Sequence, residues 1–302
     1  MTSLFCRHNR MTAKCPICSK ELEADLRAKA PPRPPGIRRA PAAPRRARGG
    51  AATPRGGGLV TRKLARAQDD GYRNQLVPGL RATADAERLA AALAIAAERL
   101  EPPGPYEAVA TEPDREQATW LAFLLALAGP GDPERQEAVA AAAPRFENGD
   151  VPAPLTDHAR AIAAYRQWAA RAGSQAAGFT GESDWSPGRR FARVFERLAL
   201  PGLARAPRFE LLATLGAAGL YELEPDTLQL SAEDDATTQA AKRALLSGDK
   251  MLLERRAREL AAACDVPLAA LDRGFALWDD PAADLTPAAE PPPAMRSALA
   301  LP

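Results

Sequence analysis

Between Leu59 and Asp280, apolar residues recur at helical spacing, and turn signals divide the run into segments. Leu89, Leu93, Ala96 and Leu100 follow steps of 4, 3 and 4, which predicts one buried helix face. Asp114 with Gln117 reads as a capping box ahead of Ala118–Leu125, and Gly129-Pro130 stops that helix. Thr156 can cap a helix ending at Gly173. Ser186-Pro187 puts proline at a first helical position, with Phe191, Val194, Phe195 and Leu198 as the buried stripe. Leu253, Ala257, Leu260 and Cys264 form another seam, capped by Asp249. Asp265 and Pro267 open a last helix carrying Leu268, Leu271, Phe275 and Trp278. Only Tyr221–Leu230 reads as extended, too short to build a sheet, so the predicted fold class is all-α.

Composition refines this picture. Of the 302 residues 46% are apolar but only 5% aromatic, so the expected core is rich in small residues. The most apolar run, Trp120–Ala128, falls well short of the roughly 20 residues a bilayer needs, so no membrane is expected. Met1–Cys6 lacks the apolar stretch of a signal peptide, and the expected location is the cytoplasm. Residues 28–58 form a Pro/Arg/Gly tract without apolar period, expected to be a disordered tether. The division read from the sequence is a module at 1–25, a basic linker at 26–58, a helical body at 59–281 and a loose tail at 282–302. Residues 1–66 hold sixteen Lys/Arg against three acids, and the remainder holds twenty-four against thirty-five. A basic arm on an acidic body points to a polyanionic partner, and composition bias in a solvated segment is the alternative.

Cys6-Arg7-His8 and Cys15-Pro16-Ile17-Cys18 supply four soft ligands within thirteen residues. Cys-x-x-Cys can place two thiolates on one Zn²⁺, and Cys6 with His8 can close the tetrahedron. Four protein ligands leave no open position, so such a zinc is structural, and a segment this small would draw its folding energy from it. Reduced thiols without metal are the competing reading.

Six arginines face one acid over residues 188–208, around Leu200-Pro201-Gly202-Leu203. Helix, Leu-Pro-Gly turn, helix is the form of a helix-hairpin-helix, whose second helix starts with backbone N–H groups able to hold a phosphate. Arg190, Arg193, Gly202, Arg205 and Arg208 are the candidate DNA contacts there, with Arg243 and Arg255 further on. An ordinary turn with a solvated arginine face is the bland alternative.

This stretch resembles the helix-hairpin-helix DNA glycosylases, whose catalytic Asp, usually followed by Thr, lies about two dozen residues beyond the hairpin. Asp226-Thr227 stands at a comparable distance, while Ala204 replaces the hairpin's second glycine and no hairpin lysine is present. More of the chain resembles the third clade of the alpha-glutamyl/putrescinyl thymine pyrophosphorylases. That likeness rests on the cysteine cluster, Arg190-Phe191-x-Arg193-Val194-Phe195, Leu200-Pro-Gly202 and Asp235-x-x-Thr238. Ala241-Lys242-Arg243, Gly248-Asp249, Leu253-x-Arg255-Arg256 and Val266-Pro267-x-x-Ala270-Leu271-Asp272 complete it. The resemblance implies a glycosylase-like fold on DNA. It also implies a reaction in which an amine or amino acid displaces pyrophosphate from an activated 5-hydroxymethyluracil.

That chemistry needs cations for the leaving group and a carboxylate for the amine. Lys242 and Arg243, then Lys250, Arg255, Arg256 and Arg258, offer the first, and Asp226, Asp234, Asp235 and Asp249 the second. Asp226, Lys242 and Asp249 are the catalytic candidates. Asp235 and Asp249 read equally well as helix caps, and Glu254 with Arg258 as a helical pair. A true glycosylase and a non-catalytic nucleic-acid-binding protein stand beside the transferase reading.

Overall fold

The computed structural model describes residues 67–100, 107–148, 150–231, 235–285 and 290–302. Cys6, His8, Cys15 and Cys18, the basic linker and Asp234 lie outside the described residues. Those described form helices and loops with no strand, and the fold is all-α. In order the α-helices are α1 (Thr83–Glu98), α2 (Glu107–Thr111), α3 (Arg115–Ala128) and α4 (Pro133–Ala142). Next come α5 (Ala159–Ala172), α6 (Gln175–Thr180), α7 (Pro187–Arg197) and α8 (Arg205–Ala217). The series ends with α9 (Ala236–Leu245), α10 (Lys250–Cys264), α11 (Leu268–Asp279) and α12 (Pro293–Ala298).

The main helix pairings fall into two groups. In the first, α3 is buried at every position from Ala118 to Ala128 and the neighbours α2 and α4–α8 assemble on or beside it. A helix apolar all round has no solvent face to offer and becomes a core element. The chain's few aromatics concentrate there: the Phe123 and Tyr165 rings stack at 3.8 Å, Trp120 stacks on Phe123 at 5.5 Å, and Trp168 meets Phe179 edge-on at 5.2 Å. The second group is α1 with α9–α12, packed mainly through Ala and Leu. Its largest interface is α1 against α11, where a Cβ on Gly274 would lie 2.5 Å from Leu93 Cδ2, so an alanine there would force the Leu93 side chain to shift.

The helix ends show which local signals decide. Asp114 Oδ1 accepts from Glu116 N at 3.0 Å, so the cap forms. The box does not: the Gln117 side chain donates to Pro144 O and accepts from Phe146 N. Ser186, Asp235 and Asp249 each accept from the amide three residues on. The helix expected to start at Thr156 begins instead at Ala159, after a 3₁₀ segment over Ala153–His158. Asp265 does not open α11; it closes α10 in the left-handed region at φ 55°. Tyr221–Leu230 is a loop whose Leu228 and Leu230 amides donate to buried Glu254, both at 2.7 Å. Glu254 is thereby taken from its expected partner Arg258, and Arg255 pairs with Glu259 at 3.6 Å.

The tail at 282–302 is not loose where it is described. Met295 and Leu299 are fully buried, α12 packs on α10, and Tyr72 Oη donates to Leu299 O at 2.6 Å. The sequence reading missed this because two apolar side chains in a Pro/Ala context carry no period. Among the described residues no helix is long and apolar enough to cross a membrane.

Candidate functional site

Where the two helix groups meet, charged side chains are buried between α8 and α11. Arg205, at the first position of α8, is 1% exposed. It pairs with Asp272 of α11, reaches Asp235 at 3.5 Å, and donates to the Leu228 and Gln229 carbonyls. Five residues on, Glu210 accepts from Arg273 twice, with Nε to Oε2 at 2.8 Å. The network holds three carboxylates and two guanidiniums. Burial raises the Asp272 carboxyl above its usual range. Arg205 opposes the shift, and Glu210 and Asp235 add to it.

Beside this network lies a cavity of about 1010 Å³. Its walls are the C-terminal end of α3, the first two turns of α8, both ends of α9, and one face of α11. Ala206 and Pro207 contribute from α8, Thr237 and Arg243 from α9, and Asp272 and Arg273 from α11. Arg243 pairs with Asp279 and lies 5.7 Å over the Trp278 ring. An apolar hollow with a few converging charges is the usual form of a small-molecule or base pocket.

The Leu200–Leu203 turn is adjacent. Pro201 and Gly202 are exposed, and Gly202 takes φ +82°, a conformation that favours glycine. A Cβ there would meet Ala161 N at 3.2 Å, so the turn sits on the first residues of α5. Four residues after Gly202, Ala206 is already in the cavity wall.

The expected site residues separate into distinct places. Arg205 and Arg190 are both enclosed in the fold. Arg190 pairs with Glu222 at 2.8 Å and donates to its carbonyl, so neither guanidinium is presented to a strand. Arg193 is exposed, with a helical-pitch contact to Glu196, and Arg208 lies 4.4 Å over Phe195 while bonding Ala204 O and Phe195 O. Arg243 lines the cavity, and Arg255 is exposed on α10. Asp226, Lys242 and Asp249 line none of the described cavities. Asp226 instead sits against the first turn of α7: a Cβ on Gly188 would lie 3.0 Å from its Oδ2. Asp249 caps α10.

Glu210, Asp272 and Arg273 have the strongest case in the structure, and the sequence reading assigned them no role. A signal was present. Glu210 is the one acid inside Phe209–Leu215, and Asp272-Arg273 interrupts the apolar face of α11. Charges on a buried helix face require partners from another element. No protein-family model, no curated protein and no solved structure matches this chain.

Proposed function

We propose that the protein is a DNA base-modifying enzyme of the transferase type. In this reading the Pro201-Gly202 turn rests on the sugar-phosphate backbone and an extruded base enters the cavity beside it. The observation that carries it is continuity: the first turn of α8, directly after the exposed turn, is also a wall of a 1010 Å³ cavity holding Asp272, Arg243 and Arg273. The reaction proposed is attack by an amine or amino acid on the activated methylene of a 5-hydroxymethyluracil. The new C–N bond forms as the C–O bond to pyrophosphate breaks, and the amine's proton passes to a carboxylate. Asp272, whose proton affinity is raised by burial, is the group proposed to take it. Arg243, on the cavity wall, is the cation proposed for the departing anion.

DNA carrying the pyrophosphorylated base, incubated with the protein and candidate amines, is expected to yield an aminated thymine nucleoside by mass spectrometry. Asp272→Asn is expected to abolish that product while leaving DNA affinity within about twofold, since it touches no phosphate in this scheme. An unaltered nucleoside pool with the wild type, across amines, overturns the enzymatic reading. The second reading, a non-catalytic nucleic-acid binder, is favoured by one observation: Asp226, Lys242 and Asp249 line no described cavity.

A further inference from the structure

A second cavity, of about 430 Å³, opens at the other end of the α3–α8 pair from the main one. The two helices run antiparallel. The last residues of α3 and the first of α8 line the main cavity, whereas Arg115, which starts α3, donates to Leu220 O just beyond α8 at 2.5 Å. With fourteen residues, α3 is about 20 Å long, so a small ligand in one cavity does not reach the other. The second cavity is lined by Arg115, Thr180 at the end of α6, Arg190 of α7 and the loop from Gly219 to Glu222.

Arg190 is 5% exposed, and only part of its guanidinium is satisfied. Nη1 donates to the Glu222 carboxylate at 2.8 Å and to its carbonyl at 3.0 Å, and Nη2 reaches Glu182 O at 3.4 Å. Nε is buried and has no acceptor among the described residues. A buried charged group with an unsatisfied N–H is costly unless something further completes it. Arg115 is exposed and lies 4.1 Å over the Tyr221 ring, and no carboxylate among the described residues pairs with it. Glu116, next along α3, is taken by the Gln175 and Ala176 amides. Two guanidiniums therefore share a concave site in which Glu222 is the single acid among the described lining residues.

Glu222 is a loosely held occupant. Its side chain is 79% exposed even while paired, so it can turn out into water at little cost. An incoming monocarboxylate would only replace a tethered carboxylate with a free one. A phosphate dianion brings a second charge, and its oxygens can bridge both guanidiniums in the forked geometry that arginine offers to phosphate. A nucleic-acid strand fits poorly, since its phosphates are monoanions flanked by sugars and Arg190 is almost wholly enclosed. We propose that this cavity binds a small phosphate monoester, held between Arg115 and Arg190 in the place that Glu222 otherwise takes. The volume leaves room beyond the phosphate for a small organic portion against Leu220 and Tyr221. This site is separate from the DNA reading above and stands without it.

The test uses the full chain and isothermal titration calorimetry at constant ionic strength, with inorganic phosphate, phenyl phosphate and acetate as probes. Both phosphates are expected to bind, the ester more tightly, and acetate is not. Arg115→Ala is expected to weaken phenyl phosphate about tenfold. Glu222→Gln, which removes the competing carboxylate, is expected to tighten it about fivefold. Both positions are exposed, and cooperative thermal melts confirm that the variants fold. Arg243→Ala, in the main cavity, is expected to leave this affinity unchanged. Failure of either phosphate to bind overturns the proposal, as does acetate binding as tightly as the ester. Affinity lost with Arg243→Ala but kept with Arg115→Ala moves anion binding to the main cavity and overturns it too. Binding that is weaker or unaltered in Glu222→Gln rules out the exchange with Glu222. Phenyl phosphate displaced by a short DNA duplex overturns the monoester in favour of a strand.

Discussion

Cys264 and Asp272 are both buried, and desolvation acts on each by disfavouring its charged form. The Cys264 thiol is pushed up to about 11 by burial alone. At pH 8 it is expected to resist iodoacetamide in the native protein and to label fully in denaturant, as peptide mapping would show. Equal labelling in both states contradicts its placement. For Asp272 the folded state binds the proton more tightly than the unfolded chain, so stability rises as pH falls from the raised value toward the ordinary carboxylate value. That contribution is expected to vanish in Asp272→Asn, measured by urea melts across the acid range. Asp272→Ala, which strips Arg205 of its nearest partner, is expected to destabilise by about 3 kcal/mol. A loss indistinguishable from that of an exposed alanine substitution would mean the pair is not formed in solution.

At the scale of elements, capping and seam spacing were legible in the sequence. Ser186, Asp235 and Asp249 cap where their residue types said they would, the α10 seam is buried as its 4, 3, 4 steps imply, and so is the Phe191–Leu198 stripe of α7. Partnerships across long sequence separation were not legible. Asp226 lies in the 221–230 loop, and its neighbour Gly188 belongs to α7, far away in sequence. Glu254 prefers the loop amides to Arg258 because two buried N–H groups with no other acceptor outweigh an exposed helical pair. The docking of α12 was invisible for the same reason, and it carries a prediction. Truncation before Pro293 removes Met295 and Leu299, worth about 2 kcal/mol each. The melting temperature is expected to fall by about 10 °C. An unchanged melt would show that α12 does not pack. For the cysteine-rich module, one zinc per chain is expected by elemental analysis, lost in Cys15→Ser with Cys18→Ser. Wild-type stoichiometry in that variant removes these ligands from consideration.

For the whole molecule, charge is divided between a cationic N-terminal stretch and an anionic body, and the exceptions on the body are local. Deleting residues 28–58 is expected to flatten the dependence of log affinity on log salt without changing which DNA is preferred. A slope that does not move would refute the arm's part in the proposed DNA binding. The contact between Tyr72 and Leu299 has a further consequence. It brings the beginning of the helical body and the far end of the chain to the same spot. A short peptide bridge from Pro302 to the residues before Tyr72 should therefore be sterically easy, and new termini could be opened in an exposed loop elsewhere.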